Sequence, residues 1–173
     1  ERHAVLAVNL RGGSGLEIWQ YTSRTPQRPD FEVKAGDLGI FAARVKSSDI
    51  KRAFEFMKSR QVDILSGIRK TPEGINAFPV RDPYGNLFRI EECGSSFMKT
   101  SSVTGGGIGA VIGVSDMDAS IEFYREILGY DLVLYDKKGK FADMETLPGG
   151  EGAFRRVLIG RRNPGKGAFS RML

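Results

Sequence analysis

The chain contains 173 residues, of which 40% are hydrophobic and 11 are phenylalanine, enough to form a folded core rather than a disordered tail. Its 26 Lys and Arg outnumber its 21 Asp and Glu, but apart from Arg155–Arg156 and Arg161–Arg162 they are scattered, and no nucleic-acid-binding motif accompanies them, which argues against a nucleic-acid partner. The single cysteine, Cys93, excludes an internal disulfide, and no apolar run reaches the roughly 18–20 residues that cross a bilayer, so we expect a soluble, cytoplasmic protein with no membrane partner.

The first predicted elements are two antiparallel strands, Ala4–Asn9 and Leu16–Tyr21, joined by a loop at Gly12–Gly15. We interpret residues 1–21 as the end of a leading unit. Residues 22–37 contain two prolines and no hydrophobic periodicity, and they therefore predict an extended connector.

Two later stretches share one pattern, in which a short apolar strand, an acid-bearing turn, an amphipathic helix and a second strand follow one another. In the first copy these elements are the strand Leu38–Val45, the helix Asp49–Arg60 and the strand Val62–Leu65. In the second copy they are Ile108–Val114, Asp118–Leu128 and Leu132–Tyr135. Such a repeat indicates a duplicated supersecondary unit, whose function depends on how the units pair.

The first copy continues into two more strands, Ala77–Val80 and Leu87–Glu92, joined by the turn Asp82–Asn86. The proline and glycine of this turn favour a tight hairpin. Pro79 lacks a backbone donor, which predicts an edge strand or a bulge at this point. Residues 38–93 are therefore predicted to form a complete βαβββ unit.

The second copy is predicted to be incomplete. Residues 94–107 are rich in Ser, Thr and Gly and predict a linker. A third strand is expected near Phe154–Ile159, but no fourth strand is evident in residues 108–173. In its helix, Ile121, Tyr124, Ile127 and Leu128 share one apolar face, and Gly129 suits the helix end.

Two motifs carry a family resemblance. The first is Asp82–Asn86 followed by Leu87–Glu91, and the second is Val114–Met117 followed by Phe123–Tyr130. Together with the repeat, they resemble the vicinal oxygen chelate superfamily, which includes glyoxalase I, bleomycin and fosfomycin resistance proteins and extradiol dioxygenases. The resemblance implies an α+β fold in which βαβββ units pair into a curved mixed sheet, forming a cup with the helices outside.

The resemblance also implies positions for a divalent metal on the first and last strands of the units. These positions are occupied here by Glu17, Ile40, Arg89 and Gly109. Only Glu17 is a retained ligand, because a guanidinium has no lone pair to donate and repels a cation. We therefore expect neither metal nor cofactor in the cup between the leading unit and residues 38–93. A divalent metal remains an expectation only for another cup, built by the third unit.

Strand alternation predicts which side chains line the first cup. The predicted ligand-binding residues are Glu17, Trp19, Tyr21, Ile40, Arg44 and Arg89. A pocket with an aromatic wall and two arginines suits a small anionic or aromatic organic molecule, since arginine offers a planar fork to a carboxylate or phosphate.

Each of these residues has a structural alternative. Glu17 and Arg89 would form a buried ion pair without any ligand. Trp19 and Tyr21 would only pack at an interface, and Arg44 would lie on a solvent-exposed rim. No catalytic residue is assigned, because the only histidine, His3, lies at the start of the chain.

Two functional hypotheses follow from the sequence. The preferred one is binding of a small organic molecule in a metal-free cup. The alternative is a metal-dependent lyase, isomerase or dioxygenase whose cup combines the third unit with a fourth, where the metal acts as a Lewis acid. If the chain is an enzyme, the resemblance implies a lactoylglutathione lyase-like or extradiol dioxygenase-like activity. The incomplete units predict that the partner is either the rest of a longer chain or a second copy in a homodimer, and a scaffold used only for dimerisation is a third hypothesis.

Overall fold

The computed structural model describes residues 2–12, 14–27, 29–162 and 169–172. In this part of the chain the helices are α1 (Ile50–Ser59) and α2 (Met117–Leu128). The strands are β1 (Arg2–Asn9), β2 (Ser14–Tyr21), β3 (Gly39–Ser47), β4 (Asp63–Ile64), β5 (Arg69–Lys70), β6 (Asn76–Arg81), β7 (Leu87–Glu92), β8 (Gly107–Gly113), β9 (Leu132–Gly139), β10 (Phe154–Arg162) and β11 (Phe169–Met172). None of the described helices is long and apolar enough to span a membrane.

The first βαβββ unit is organised around β3. The six-stranded sheet has the order β4-β6-β7-β3-β8, with β5 also paired to β6. β3 runs parallel to β7 and antiparallel to β8. The crossover from β3 through α1 explains the parallel pair, because parallel neighbours need a long connection.

Pro79 lies in β6, which has β7 on one side and two short strands on the other. β4 pairs with Val80 and Arg81, and β5 pairs with Asn76 and Ala77. Pro79 therefore falls between the two short strands rather than at a sheet edge. Because neither short strand pairs with Pro79, its missing N–H removes no hydrogen bond from the sheet there. Its carbonyl still accepts a hydrogen bond of 3.1 Å from the backbone N–H of Leu65.

A second unit repeats the same order of elements, from β8 through α2 to β9, β10 and β11. β10 pairs antiparallel with both β9 and β11, and β11 lies beside β8. Here the structure differs from the sequence prediction, which gave this unit no fourth strand. The fourth strand, Phe169–Met172, has only four residues, too few for an alternating pattern to stand out.

The two units pair through their first strands. β3 and β8 are antiparallel neighbours, with Ala42 opposite Val111 and Arg44 opposite Gly109. We predicted that the unit of residues 38–93 would instead pair with the leading strands, and the structure corrects this. β7 and β8 occupy both edges of β3, so β1 and β2 form a separate two-stranded sheet.

The leading hairpin is attached to the chain that links the two units. The Asn9 side chain donates to the carbonyl of Thr104 at 3.0 Å. Arg11 donates to the carbonyls of Thr100 and Ser102, at 2.6 and 2.8 Å. These bonds fix the hairpin against residues 94–106.

Both predicted helices are present, and each begins at an aspartate. The side chains of Asp49 and Asp116 cap the helices by accepting from the backbone N–H groups of Arg52 and Ala119. α1 packs Ile50, Ala53, Phe54 and Met57 against Phe78, Val80 and Ile90, as its periodicity predicted. In α2, Met117, Ile121 and Tyr124 pack against Val157 and Ile159, whereas Ile127 and Leu128 of the predicted apolar face are exposed.

The end of α2 requires a glycine. Gly129 adopts φ 70°, a left-handed conformation, and a Cβ there would meet only ordinary contacts with the Arg161 side chain, at 3.6 Å or more. We therefore expect Gly129→Ala to lower the free energy of unfolding by about 1 kcal/mol through backbone strain alone. Urea denaturation followed by circular dichroism measures this cost.

Gly67→Ala is the matched control for this prediction. Gly67 lacks a left-handed φ, and a Cβ there would meet nothing within 4 Å. We expect this variant to be as stable as the original chain or slightly more stable. Equal losses in the two variants would contradict the explanation from backbone strain.

A long connection covers the concave face of the sheet. We call residues 140–153, between β9 and β10, the plug. Phe141, Met144 and Leu147 of the plug are buried against Phe41 and Ala42 of β3. The backbone of Ala35 donates to the carbonyl of Pro148 at 2.8 Å, so the connector before β3 holds the plug from outside.

Candidate functional site

The concave face of the sheet carries charged side chains at its centre. On β7, Phe88 and Ile90 point towards α1 and join its apolar cluster. Alternation along the strand therefore sends Arg89 and Glu91 to the other face, beneath the plug. Arg44 of β3 lies directly beside Arg89 in the parallel pair.

These side chains form a buried group that we call the ion cluster, namely Arg44, Arg89, Arg156, Glu91 and Asp143. Arg44 is 0% exposed, Glu91 0% and Arg156 7%. β3, β7 and β10 supply all of the cluster except Asp143, which the plug supplies. Both units therefore contribute to one site.

Glu91 holds two of the arginines together. Arg44 donates from Nε and Nη2 to the two oxygens of Glu91, at 2.7 and 2.6 Å. Arg89 donates from Nε to Oε1 of the same carboxylate at 2.6 Å. These short, charge-assisted bonds fix the orientation of both guanidinium groups.

Asp143 forms less complete hydrogen bonds with Arg89 and Arg156. Both of its oxygens accept from one atom, Nη1 of Arg156, at 2.8 and 2.9 Å. Nη1 of Arg89 lies 3.4 Å from Oδ2, a long distance for a bond between charged groups. Asp143 therefore does not engage either guanidinium in a two-pronged, fork-like pair.

Several buried polar atoms of this region have no hydrogen-bond partner in the described part of the chain. They are Nη1 of Arg44, Nη2 of Arg156 and both carboxylate oxygens of Glu73. Glu73 lies beside Arg44, with 3.7 Å between its Oε1 and Nη2 of that arginine. Because buried polar groups are normally satisfied, these atoms mark space for a water molecule or a polar ligand.

The cluster changes the ionisation of its members. Burial raises the pKa of Glu91, but Arg89 and Arg44 outweigh it and lower this pKa from 4.5 to about 2. For Arg89, burial acts to lower the pKa, but Glu91 and Asp143 outweigh it and the pKa is raised. Burial also raises the pKa of the nearby Tyr135. At neutral pH Glu91 is thus a fixed anion and Tyr135 stays protonated.

An apolar cavity of about 290 Å³ opens onto the same arginines. Arg89 and Arg156 line it together with Phe41, Val111, Met144 and Phe154. The cavity lies between β8 and the first half of β10. β11 pairs with the second half of β10, from Ile159 onwards, and not with the first half. The site thus combines charged donors with an apolar enclosure, the usual composition of a small-molecule pocket.

The structure brings together two of the six predicted ligand-binding residues, Arg44 and Arg89. Ile40 is 72% exposed because the register of β3 shifts between Ile40 and Ala42, and such a bulge breaks the alternation that placed it in the cup. Arg44 is completely buried and does not lie on a solvent-exposed rim.

The other three predicted residues, Glu17, Trp19 and Tyr21, lie on β2 of the separate hairpin. All three are exposed there, and Arg24 lies over the Tyr21 ring at 4.9 Å. The alternative ion pair between Glu17 and Arg89 is not what forms, since Arg89 pairs with Glu91 and Asp143.

The positions at which the resemblance implied a metal do not fit one. Ile40 and Gly109 have no side-chain atom that could bind a metal ion, and Arg89 is a cation. Glu17 lies on another sheet. Within the described ranges, no three His, Cys, Asp or Glu side chains are grouped so that they could hold a metal ion. The side chain of His3 lies outside the part of the chain described here.

Sequence reasoning did not identify Glu91, Asp143 or Arg156 as site residues. The alternation of β7 does put Glu91 on the face of Arg89, and this was the available signal for it. Arg156 lies on the same strand face as the apolar Phe154 and Leu158 of β10, a weak indication that it points inwards. No local pattern in the plug identifies Asp143.

Comparison with known proteins agrees with this architecture. Residues 108–166 match the model of the Glyoxalase/Bleomycin resistance protein/Dioxygenase superfamily. A singly substituted glyoxalase I from Zea mays superposes with a TM-score of 0.50 at 18% identity, covering 78% of this chain and 42% of that one. The chain has a glyoxalase-type fold.

The unsubstituted glyoxalase I from Zea mays also superposes, with a TM-score of 0.49, 18% identity and the same coverage of the two chains. No curated protein matches the sequence. The chain spans less than half the length of the glyoxalase I chains that it matches. The resemblance to the vicinal oxygen chelate superfamily and the α+β glyoxalase-type fold predicted from the sequence are confirmed.

Proposed function

We propose that this glyoxalase-type protein binds a small organic anion in the cup between its two units. The observation that carries the proposal is the presence of unpaired donors on the buried arginines of the ion cluster. Nη1 of Arg44 and Nη2 of Arg156 have no partner among the described residues, although three carboxylates, those of Glu91, Asp143 and Glu73, lie around the three arginines. A bound anion would supply the missing acceptors.

The shape of the site supports an organic ligand rather than a bare inorganic ion. The cavity that reaches Arg89 and Arg156 is walled by Phe41, Val111 and Phe154. One water molecule, which is one non-hydrogen atom, occupies roughly 30 Å³ in the liquid. At this volume per atom, the 290 Å³ of the cavity holds roughly ten non-hydrogen atoms. An anion with a compact apolar body fits both parts of the site.

The proposal does not depend on a metal. Guanidinium groups recognise anions by charge and by paired N–H donors, which is chemistry that the side chains present supply. The preferred hypothesis from the sequence placed such a pocket between the leading unit and residues 38–93, whereas the present proposal places it between residues 38–93 and the unit that follows.

Thermal unfolding with added ligands tests the proposal. We expect benzoate to raise the Tm in a saturable way, since a ligand at 100 times its Kd stabilises the folded state by about 2.7 kcal/mol. For a domain of this size, that corresponds to a rise of roughly 5–10 °C. Benzamide, which is similar in shape but uncharged, should leave the Tm nearly unchanged.

Two variants make this test specific to the cup. Arg156→Met should abolish the response to benzoate, because it removes a donor that lines the cavity. Arg125→Met removes an exposed arginine that pairs with Glu126 on α2, and this variant should respond like the original chain. If benzoate and benzamide shift the Tm equally, or if Arg156→Met retains the full response, the proposal is wrong.

A further inference from the structure

Asp143 occupies the position in which the proposed ligand would present its charge. It is 5% exposed and is held there by the buried plug. The carboxylate of Asp143 is thus an anion built into the chain, facing Arg89 and Arg156. Its chemistry indicates what these two arginines are arranged to accept.

The fit of Asp143 to this position is incomplete. It engages Arg156 through one nitrogen only, at 2.8 and 2.9 Å. Nη2 of the same guanidinium, on a side chain more than nine-tenths buried, has no partner among the described residues. The backbone of the plug fixes the approach of the aspartate, whereas a free carboxylate can turn to meet both nitrogens of the fork.

We infer that the ligand of this site is a small carboxylate with a compact apolar body, and that its carboxylate replaces that of Asp143 between Arg89 and Arg156. This inference rests on the proposed function and specifies its ligand class. The apolar body would occupy the cavity beside Phe41, Val111 and Phe154. Asp143 is then an internal competitor, and the plug must move outwards when the ligand enters.

The competition has a measurable consequence for affinity. A ligand that has to displace a resident group binds more weakly by the cost of that displacement. Asp143→Asn keeps the size of the side chain and removes its charge, so we expect the Kd for benzoate to fall at least tenfold, measured by isothermal titration calorimetry. Asp63→Asn, which alters an exposed aspartate paired with Arg81, should leave the Kd unchanged.

A second variant tests the movement of the plug without changing any charge. Leu147 is 4% exposed and packs against the cluster of Phe41 and Ala42. Leu147→Ala should weaken the packing of the plug against β3. Because the plug then moves outwards more easily, the Kd for benzoate should also fall. This variant keeps the test decisive if Asp143→Asn does not fold, because it retains every member of the ion cluster.

The outcomes separate the inference from the proposed function. Tighter benzoate binding in Asp143→Asn and in Leu147→Ala, with Asp63→Asn unchanged, supports the inference. Equal binding of benzoate by the original chain and by these variants overturns the inference and leaves the proposed function standing. Binding of inorganic phosphate without benzoate also overturns the inference. If no folded form binds either anion, both the inference and the proposed function are wrong.

Discussion

Replacing Glu91 by glutamine is expected to lower the free energy of unfolding by about 3–5 kcal/mol, the usual cost of breaking a buried ion pair from one side. Glu91 is 0% exposed and accepts three hydrogen bonds from Arg44 and Arg89. A glutamine removes the charge that balances the two guanidinium groups. It also turns an NH₂ donor towards donors, so at least one bond is lost as well.

Urea denaturation measures this loss, and Glu126→Gln is the control. Glu126 forms an exposed pair with Arg125, with its side chain 62% exposed, and such pairs contribute at most about 1 kcal/mol. If Glu91→Gln costs no more than this control, the two arginines do not depend on Glu91 and the description of the ion cluster is incorrect.

The free energy of unfolding is also expected to decrease as the pH is lowered from about 5 to about 2. The pKa of Glu91 is about 2 in the folded chain against an ordinary value of 4.5. A lowered pKa in the folded state gives stabilisation that is complete above the unfolded value and is lost as the pH falls towards the folded value. At about 1.4 kcal/mol for each unit of pKa, the loss is of the order of 3 kcal/mol.

Chemical denaturation at a series of pH values measures this effect, with Glu91→Gln as its internal control. The variant has no carboxyl group at this position and should lose less stability between pH 5 and pH 2 than the original chain. Asp82 and Asp136, whose pKa values are also lowered through hydrogen bonds to Asn86 and Arg155, remain in both proteins. An identical acid dependence in the two proteins would show that Glu91 is not responsible.

The fold was predictable because its signals are local. Helical periodicity marked both helices, and Asp49, Asp116 and Gly129 act at their ends as their residue types suggest. The turn Asp82–Asn86 joins β6 to β7 in register. Each signal lies within a dozen residues of sequence, where pattern and structure correspond directly.

The pairing of the units was not predictable, because both copies carry the same pattern and the leading strands resemble their last two strands. Which edge of β3 meets which partner depends on contacts far apart in sequence. β8, which begins more than 60 positions after the start of β3, pairs with β3, whereas the prediction paired residues 38–93 with the leading unit.

The site was predictable only in part for a related reason. Strand alternation predicted the positions of Arg44 and Arg89 correctly. The prediction for Ile40 was wrong because a bulge lies between Ile40 and Ala42. Asp143 comes from an irregular connection, whose path over the sheet no periodicity describes. Arg156 reaches the cluster because β10 pairs with β11, which lies beside β8.

A crystal structure of the protein with benzoate tests the central claim most directly, which is that the buried arginines of the cup bind an organic anion. We predict that the benzoate carboxylate lies within hydrogen-bond distance of Arg89 and of Nη2 of Arg156, with its ring beside Phe41 and Phe154 and with Asp143 displaced. Benzoate bound only elsewhere, with the ion cluster paired as it is now, would contradict the account.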